Sequence, residues 1–156
     1  MVQINKIDIG SEIPRFSLPD QNGNLFNIDS VLYKKNLVLY FYPRDESPGC
    51  TREACHFRDE IEAFRNADAL IIGISAQSVK SHKKFEEKYK LPYTLLSDQG
   101  NMVRKMFGVE SDFLGLIPGR VTFVVDKSGK VISKFNSQMD VLKHVDSALE
   151  ALNKNK

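Results

Sequence analysis

Two cysteines, Cys50 and Cys55, are the residues of this 156-residue chain whose type and spacing point most directly to chemistry. They follow a run of strand-forming residues, and Ser47-Pro48 just before them is a helix start signal in which the serine hydroxyl acts as N-cap. Cys50 therefore falls in the first turn of the predicted helix, where backbone N–H groups lack partners. Because these groups and the helix dipole favour a negative charge, we expect Cys50 to be largely a thiolate at neutral pH.

The spacing of the two cysteines restricts how they could react with each other. In an intact helix, residues five apart are rotated by about 140° and their Cα atoms are about 8.6 Å apart. A disulfide needs a Cα separation below about 7 Å, so a bond between Cys50 and Cys55 would require the first helical turns to unwind. The alternative, that Cys55 is an inert cysteine on the side of the helix, stays open.

Other cysteine chemistry fits the sequence less well. There is no C-x-x-C motif of the thioredoxin type. A zinc site needs about four ligands, but only Cys50, Cys55 and His56 cluster, while His82 and His144 lack ligand-like spacing. Any of the three histidines could be the base of a Cys–His pair, but each is better explained as a solvated or hydrogen-bonded side chain on a helix.

Composition excludes several classes of protein. Hydrophobic residues make up 42% and charged residues 27% of the chain, as in an ordinary globular protein, and the net charge of +2 does not favour nucleic acid or anionic membranes as partners. The length predicts a single domain covering residues 1–156. No apolar run is long enough to span a bilayer, and the amino terminus lacks the features of a secretory signal. We expect a cytoplasmic protein, although a mature organellar form would have the same sequence features.

The hydrophobic pattern alternates between strands and helices. Alternating runs at 16–18 and 25–28 around an Asn-Gly turn predict a hairpin near the amino terminus. The other predicted strands are 37–42, 69–75, 93–96, 121–125 and 131–135, of which the last two form a hairpin. The predicted helices cover about 48–66, a stretch marked by Val79, Phe85 and Tyr89, a short one at 102–107, and a final one striped by Leu142, Val145, Leu149 and Leu152. This order favours an α/β fold with a mainly parallel sheet.

The segment around Cys50 resembles a known active-site motif. The pattern Pro43-x-x-x-Ser47-x-x-Cys50 is similar to that of peroxiredoxins, and FYPRDESPGCTREAC resembles their Q branch, the bacterioferritin comigratory proteins. The resemblance extends to LPYTLLSD at 91–98 and PGRVTFVVDKSGKV at 118–131. It implies a thioredoxin-like fold, with a central mixed sheet flanked by helices and an added N-terminal β-hairpin.

The resemblance also implies roles for individual residues. Cys50 would be the peroxidatic cysteine and Cys55 the resolving cysteine. The Ser47 hydroxyl and Gly49 would contact the peroxide, and the Pro43 ring would shield the site. Serine stands here in place of the usual threonine, so the hydroxyl is kept but the methyl group that stiffens the rotamer is lost.

Two charged residues complete the implied site. Arg120, just before a predicted strand, matches the arginine that holds the thiolate and the departing oxygen, although an arginine at a strand end is commonly a surface residue. Glu53 could orient an arginine, or it could be an exposed first-turn glutamate whose negative charge interacts favourably with the helix dipole.

The implied reaction reduces hydrogen peroxide or an organic hydroperoxide. Cys50 would become a sulfenic acid, condense with Cys55 to an intramolecular disulfide, and be recycled by thioredoxin or a similar dithiol. No metal or other cofactor is implied, and we expect a monomer. Two alternatives remain: a thiol-disulfide oxidoreductase acting on proteins, and a redox sensor or binding module. In a sensor or binding module, an apolar patch for a partner would be formed by Phe113, Leu114, Leu116 and Ile117. These residues could instead cover the active site or complete the core.

Overall fold

A five-stranded mixed sheet forms the centre of the computed structural model, which describes residues 6–155. A separate antiparallel hairpin, β1 (Ser17–Pro19) and β2 (Leu25–Asn27), precedes it. The strands of the main sheet are β3 (Asn36–Phe41), β4 (Ala69–Ser75), β5 (Thr94–Ser97), β6 (Val121–Val125) and β7 (Val131–Asn136). The fold is thioredoxin-like with an added N-terminal hairpin, as the resemblance implied.

The strand order of the main sheet is β5-β4-β3-β6-β7. The pairs β3–β4 and β4–β5 are parallel, whereas β3–β6 and β6–β7 are antiparallel. The expectation of a mainly parallel sheet from the element order alone was therefore wrong. Because the carboxyl end of β3 lies beside the amino end of the antiparallel β6, the chain that leaves β3 and the chain that enters β6 meet at one edge of the sheet.

Helices cover both faces of the sheet. They are α1 (Pro48–Asp59), α2 (Ile61–Asn66), α3 (Val79–Tyr89), α4 (Met102–Met106) and α5 (Val141–Lys154). Buried residues of α1, α2, α3 and α5 pack on one face, against alternate β3 residues such as Val38 and Tyr40. The opposite face, which carries Leu37 and Leu39, is covered by α4 and by residues around the hairpin. Burial on both faces explains why β3 is continuously apolar.

The single helix predicted over 48–66 is two helices in the structure. The chain departs from helical geometry at Glu60 (φ −99°, ψ 14°), between α1 and α2. The apolar spacing of Ala54, Phe57, Ile61 and Phe64 stays in phase across this break, so the pattern contained no sign of it. The break leaves the rings of Phe57 and Phe64 in contact, with centroids 5.7 Å apart.

The middle of β4 is packed too closely for any side chain. A Cβ atom added to Gly73 would lie 2.9 Å from the ring of Tyr40 and 2.9 Å from Leu95 Cδ2. Both neighbours are fully buried in the core, and such a core has no free volume in which to move them.

We therefore expect Gly73→Ala to lower the free energy of unfolding by about 1–3 kcal/mol through overpacking. Urea denaturation followed by circular dichroism measures this value. Leu25→Ala is the control, because Leu25 is 73% exposed on β2, and it should change the free energy by less than about 0.5 kcal/mol. Equal values for the two variants would show that the contacts of Gly73 relax without cost.

Candidate active site

Cys50 lies in the first turn of α1, next to residues that line an open cavity. Cys50 is 1% exposed, and its thiol is not part of a disulfide. The cavity has a volume of about 720 Å³, and its lining includes Pro43, Ser47, Gly49 and Arg120. The structure thus brings together the five residues at which the sequence predicted peroxide chemistry. The sixth predicted residue, Cys55, lies further along α1 and is half-buried.

The Arg120 guanidinium is the hydrogen-bond donor that the structure gives to the Cys50 sulfur. Arg120 Nη2 lies 3.3 Å from Sγ, and the arginine is 4% exposed rather than a surface residue. The sequence had pointed both to this arginine and to unpaired backbone N–H groups of the helix start, and in residues 6–155 the sulfur receives a hydrogen bond from the arginine but none from those groups. A buried positive charge at this distance favours the thiolate form of the sulfur.

Arg120 is held on three sides. Its Nη1 donates to Glu53 Oε1 at 2.8 Å, and its Nε donates to the Gln138 carbonyl at 3.3 Å. The preceding residue, Gly119, passes so close to the Glu110 carbonyl that an added Cβ would lie 2.1 Å from that oxygen. The direction of the arginine therefore depends on backbone that only glycine permits.

Glu53 is fully buried, so the alternative of an exposed first-turn glutamate was wrong. Burial raises the pKa of its carboxyl group to about 8, even though the charge and hydrogen bond of Arg120 act to lower it. Its Oε1 is bonded to Arg120, but its buried Oε2 has no hydrogen-bond partner.

Arg104, on α4, is a second buried arginine near Cys50, and sequence reasoning missed it. Its guanidinium donates to the Gly119 carbonyl at 2.6 Å and to the Tyr42 carbonyl at 3.1 Å. It thereby ties the chain that enters β6 to the chain that leaves β3. Burial lowers its pKa to about 10, so it remains charged at neutral pH. In the sequence, Arg104 stands beside Lys105 in a short helix, where it looks like any solvated cation.

Ser47 occupies the N-cap position of α1, but its hydroxyl does not cap the helix. Its Oγ donates instead to the Arg44 carbonyl at 3.3 Å. The backbone part of the prediction is confirmed, because Ser47 is extended and Pro48 begins the helix. The hydroxyl lies in the cavity wall rather than serving the helix end.

The loop between β3 and α1 is anchored by a buried ion pair. Asp45 accepts hydrogen bonds from the Tyr42 hydroxyl (2.6 Å), the Ser81 hydroxyl (2.7 Å) and His82 Nδ1 (2.7 Å). His82 also donates from Nε2 to the Leu96 carbonyl at 3.0 Å. Since a carboxylate that accepts three hydrogen bonds is ionised, the network requires a proton on both nitrogens of His82.

The other two histidines also have partners. His144 is fully buried, with Nε2 2.7 Å from the Ser137 carbonyl and Nδ1 2.8 Å from Thr122 Oγ1. His56 pairs with Asp146 at 2.9 Å on the surface of the helix. None of the three hydrogen-bonds to Cys50 within residues 6–155, so the structure offers no Cys–His pair there.

The apolar side chains after α4 lie at the rim of the cavity. Phe113, Leu116 and Ile117 line it, and Leu114 beside them is fully exposed. Their exposure excludes the idea that they complete the core. Across the cavity, Met139 is also exposed, at 81%.

None of the helices in the described part of the chain is long and apolar enough to cross a bilayer. Among residues 6–155, no three or more His, Cys, Asp or Glu side chains are grouped so that they could hold a metal ion.

The chain is similar in sequence to known proteins of one family. The model of the AhpC/TSA family matches residues 9–134. The chain is 51% identical over 150 residues to a protein of Suaeda salsa named "Peroxiredoxin Q, chloroplastic", covering 96% of this chain and 69% of that one. A protein of the same name from Arabidopsis thaliana is 52% identical over 147 residues, covering 94% and 68%.

Solved structures show the same relationship. Peroxidoxin BcpB from Mycobacterium tuberculosis superposes with a TM-score of 0.89 at 38% identity, covering 96% of this chain and 99% of that one. The bacterioferritin comigratory protein of Xanthomonas campestris, whose structure report concerns alkyl peroxide reduction, has a TM-score of 0.81 at 31% identity, with coverage of 90% and 91%.

The buried Asp45–His82 pair leads to a prediction about stability. Burial raises the pKa of Asp45, but the hydrogen bond and charge of His82, together with the two hydroxyls, outweigh it and bring the pKa below its ordinary value. Asp45→Asn weakens the three hydrogen bonds that Asp45 accepts from Tyr42, Ser81 and His82, so we expect it to lower the free energy of unfolding by about 1–3 kcal/mol at neutral pH. Urea denaturation measures the loss.

The pH dependence of this loss has a definite sign. Because the folded pKa of Asp45 is lowered, its contribution is fully present above the unfolded pKa of about 4 and disappears as the pH falls through the folded pKa. The difference between wild type and Asp45→Asn should therefore shrink in acid. Glu62→Gln removes an exposed carboxylate as the control, and an Asp45→Asn loss no larger than the control would contradict the anchoring role.

Proposed function

Because the chain belongs to the AhpC/TSA family and to its peroxiredoxin Q branch, it is a thiol-dependent peroxidase, and we propose that Cys50 is the sulfur that attacks the peroxide. Peroxiredoxins use peroxides as substrates and thiols as reductants. We propose that a single domain, predicted from the length to cover residues 1–156, carries this activity.

The observation that carries the proposal is the 3.3 Å contact between Arg120 Nη2 and Cys50 Sγ next to the cavity. It puts a permanent positive charge beside a buried thiol whose neighbours Gly49 and Arg120 line the cavity. A peroxide that enters between Ser47, Gly49 and Arg120 would meet this sulfur with the guanidinium next to the oxygen that departs. Such preorganised charge acts most strongly where water is excluded.

The proposed reaction balances in two steps. The Cys50 thiolate attacks the terminal peroxide oxygen, so an S–O bond forms as the O–O bond breaks and an alkoxide or hydroxide leaves. The leaving oxygen then takes up a proton, and Cys50 is left as a sulfenic acid. The Cys55 sulfur attacks Cys50, the S–O bond breaks, and water departs as the disulfide forms.

Cys55 is proposed as the resolving cysteine. Burial raises the pKa of its thiol, with a nearby Arg58 acting in the opposite direction, so Cys55 waits as a thiol while Cys50 reacts. Both cysteines lie within the intact α1 helix, and therefore the disulfide needs local unwinding of its first turns. A dithiol protein such as thioredoxin would then reduce the exposed disulfide by exchange.

We propose both hydrogen peroxide and organic hydroperoxides as substrates. The cavity is open and much larger than hydrogen peroxide, and Phe113, Leu116 and Ile117 give one wall an apolar surface. That surface suits the hydrocarbon part of an organic hydroperoxide, and the activity named for the Xanthomonas campestris relative supports this choice. We propose that the protein acts as a monomer.

A cytoplasmic location remains our proposal from the sequence. The chloroplastic relatives of Suaeda salsa and Arabidopsis thaliana support the organellar alternative. Partners in either compartment would have the same chemistry, a hydroperoxide and a dithiol reductant.

Cysteine variants test the reaction. We expect Cys50→Ser to abolish peroxide consumption in a coupled assay with thioredoxin and its reductase. Cys55→Ser should still consume one equivalent of peroxide per chain but form no intramolecular disulfide, because the sulfenic acid has no partner. Non-reducing peptide mass spectrometry checks the disulfide.

The alternative functions give different results in the same assay. Undiminished turnover by Cys50→Ser would remove the peroxidase role from that cysteine. Rapid oxidation that no dithiol reverses would favour a redox sensor. Reduction of protein disulfides without peroxide turnover would favour a thiol-disulfide oxidoreductase.

An arginine variant tests the contact with the sulfur. Arg120→Lys keeps a positive charge but cannot donate to Cys50, Glu53 and the Gln138 carbonyl at once. We expect a fall in the rate constant of Cys50 oxidation of about 10²–10³-fold, the usual cost of losing one aligned donor to a developing charge. Stopped-flow measurement of oxidation gives the rate, with the exposed Arg65→Lys as the matched control. Equal rates in the two variants would argue against this role of Arg120.

A further inference from the structure

The active-site arginine is shared between two buried acids. Arg120 faces the Cys50 sulfur with Nη2 and Glu53 Oε1 with Nη1, at 3.3 and 2.8 Å. If both acids were ionised, two buried anions would compete for one guanidinium. Such an arrangement is costly in a water-excluded site, where an uncompensated charge is poorly solvated.

The second oxygen of Glu53 points to a way of avoiding that cost. Glu53 Oε2 is buried without a hydrogen-bond partner and lies 3.6 Å from His144 Nδ1. The Nε2 atom of His144 must carry a proton, because its partner is the Ser137 carbonyl. When His144 is neutral, its Nδ1 is therefore an acceptor, bonded to the Thr122 hydroxyl at 2.8 Å. An ionised Oε2 would then face a lone pair, whereas a proton between the two residues removes the conflict.

The other titratable groups near this pair do not supply a counter-charge. Tyr40 and Tyr93 feel the Glu53 charge, but burial raises the pKa of both phenols, so they remain neutral. The positive charge of Arg104 interacts with Cys50, but its guanidinium donates its hydrogen bonds to two carbonyls and also interacts with the charge of Asp98. The charge of Asp140, just before α5, raises the pKa of His144, but burial has the larger effect and brings this pKa down to about 4.

We propose that Glu53 and His144 together hold one buried proton while Cys50 is a thiolate, and that they give it up when Cys50 enters the disulfide. The inference rests on the proposed function, because it assigns the source of the proton that the peroxide reaction consumes. Glu53 and His144 are positioning residues here, since neither touches the peroxide. Burial puts the shared proton on Glu53, because it raises the pKa of Glu53 to about 8 and lowers that of His144 to about 4.

The proton balance of the oxidation closes within the protein. A Cys50 thiolate, a Cys55 thiol and a hydroperoxide together contain one hydrogen fewer than the alcohol and water that they yield. The neutral carboxyl group of Glu53 supplies that hydrogen and becomes a carboxylate. The overall charge is unchanged, because the negative charge lost at Cys50 appears at Glu53.

The position of Glu53 in the chain links proton release to the disulfide. Glu53 lies between Cys50 and Cys55, so the unwinding that joins the two sulfurs also exposes its carboxyl group to water. A solvated glutamate is ionised at neutral pH. Reduction by a dithiol then returns two protons, one to Cys55 and one to Glu53 as α1 re-forms.

Proton uptake during a single oxidation tests the inference. Reduced protein is mixed with one equivalent of hydrogen peroxide in weakly buffered solution containing a pH indicator, and the disulfide is quantified in quenched samples. We expect wild type to take up almost no protons per disulfide at neutral pH, and Glu53→Gln to take up one. Wild-type uptake should rise to one proton above about pH 8, where Glu53 has already lost its proton, while Glu53→Gln stays constant.

The same substitution at an exposed site, Glu62→Gln, is the matched control and should behave as wild type. Uptake of one proton by wild type at neutral pH, or of none by Glu53→Gln, would overturn the inference while leaving the peroxidase proposal intact. Absence of the Cys50–Cys55 disulfide would instead defeat the proposed function and this inference with it.

A measurement on wild type alone covers the case in which Glu53→Gln does not fold. The infrared difference spectrum between oxidised and reduced protein should show loss of a protonated carboxyl band and gain of a carboxylate band. A spectrum without this exchange would count against a proton held by Glu53.

Discussion

The site depends on one buried guanidinium in contact with one sulfur. Arg120 reaches Cys50 from a different part of the chain, so the contact requires the start of β6 and the start of α1 to meet at the same edge of the sheet. The antiparallel pairing of β3 and β6 provides that meeting. Arg104 then fixes the distance, because it bonds the carbonyls of Tyr42 and Gly119 on the two converging segments.

Two buried histidines show how hydrogen-bond partners decide whether a histidine side chain carries a charge. His82 faces a carboxylate that already accepts two hydroxyls, and its own two nitrogens both have acceptors, so it completes an ion pair. His144 faces a hydroxyl and a carbonyl, and burial lowers its pKa to about 4. Both side chains looked alike in the sequence, since hydrogen-bond partners contributed by distant elements leave no periodic signal.

Features that depend on neighbouring residues in the chain could be predicted from the sequence, whereas features that depend on contacts between distant residues could not. Strands β4 and β6 were predicted at their observed bounds, and the other strands to within one residue; β3, β4 and β6 are buried on both faces, which leaves continuous apolar runs. The break at Glu60 and the free hydroxyl of Ser47 could not be predicted, since each is decided by packing rather than by local propensity. Glu53 was open to two interpretations because its burial depends on α5 and on Arg120, which are far away in the chain.

The contacts around α1 also define which segment must move to form the proposed disulfide. On one side, Asp45 is fixed to α3 through His82 and Ser81. On the other side, the Phe57 ring stacks on Tyr40 with centroids 4.5 Å apart. Unwinding confined between these two anchors would include Cys50, Glu53 and Cys55 and leave the core of the sheet intact. The ion pair and the aromatic stack therefore serve the same end, because they allow the reacting segment to open without loosening the fold that re-forms it.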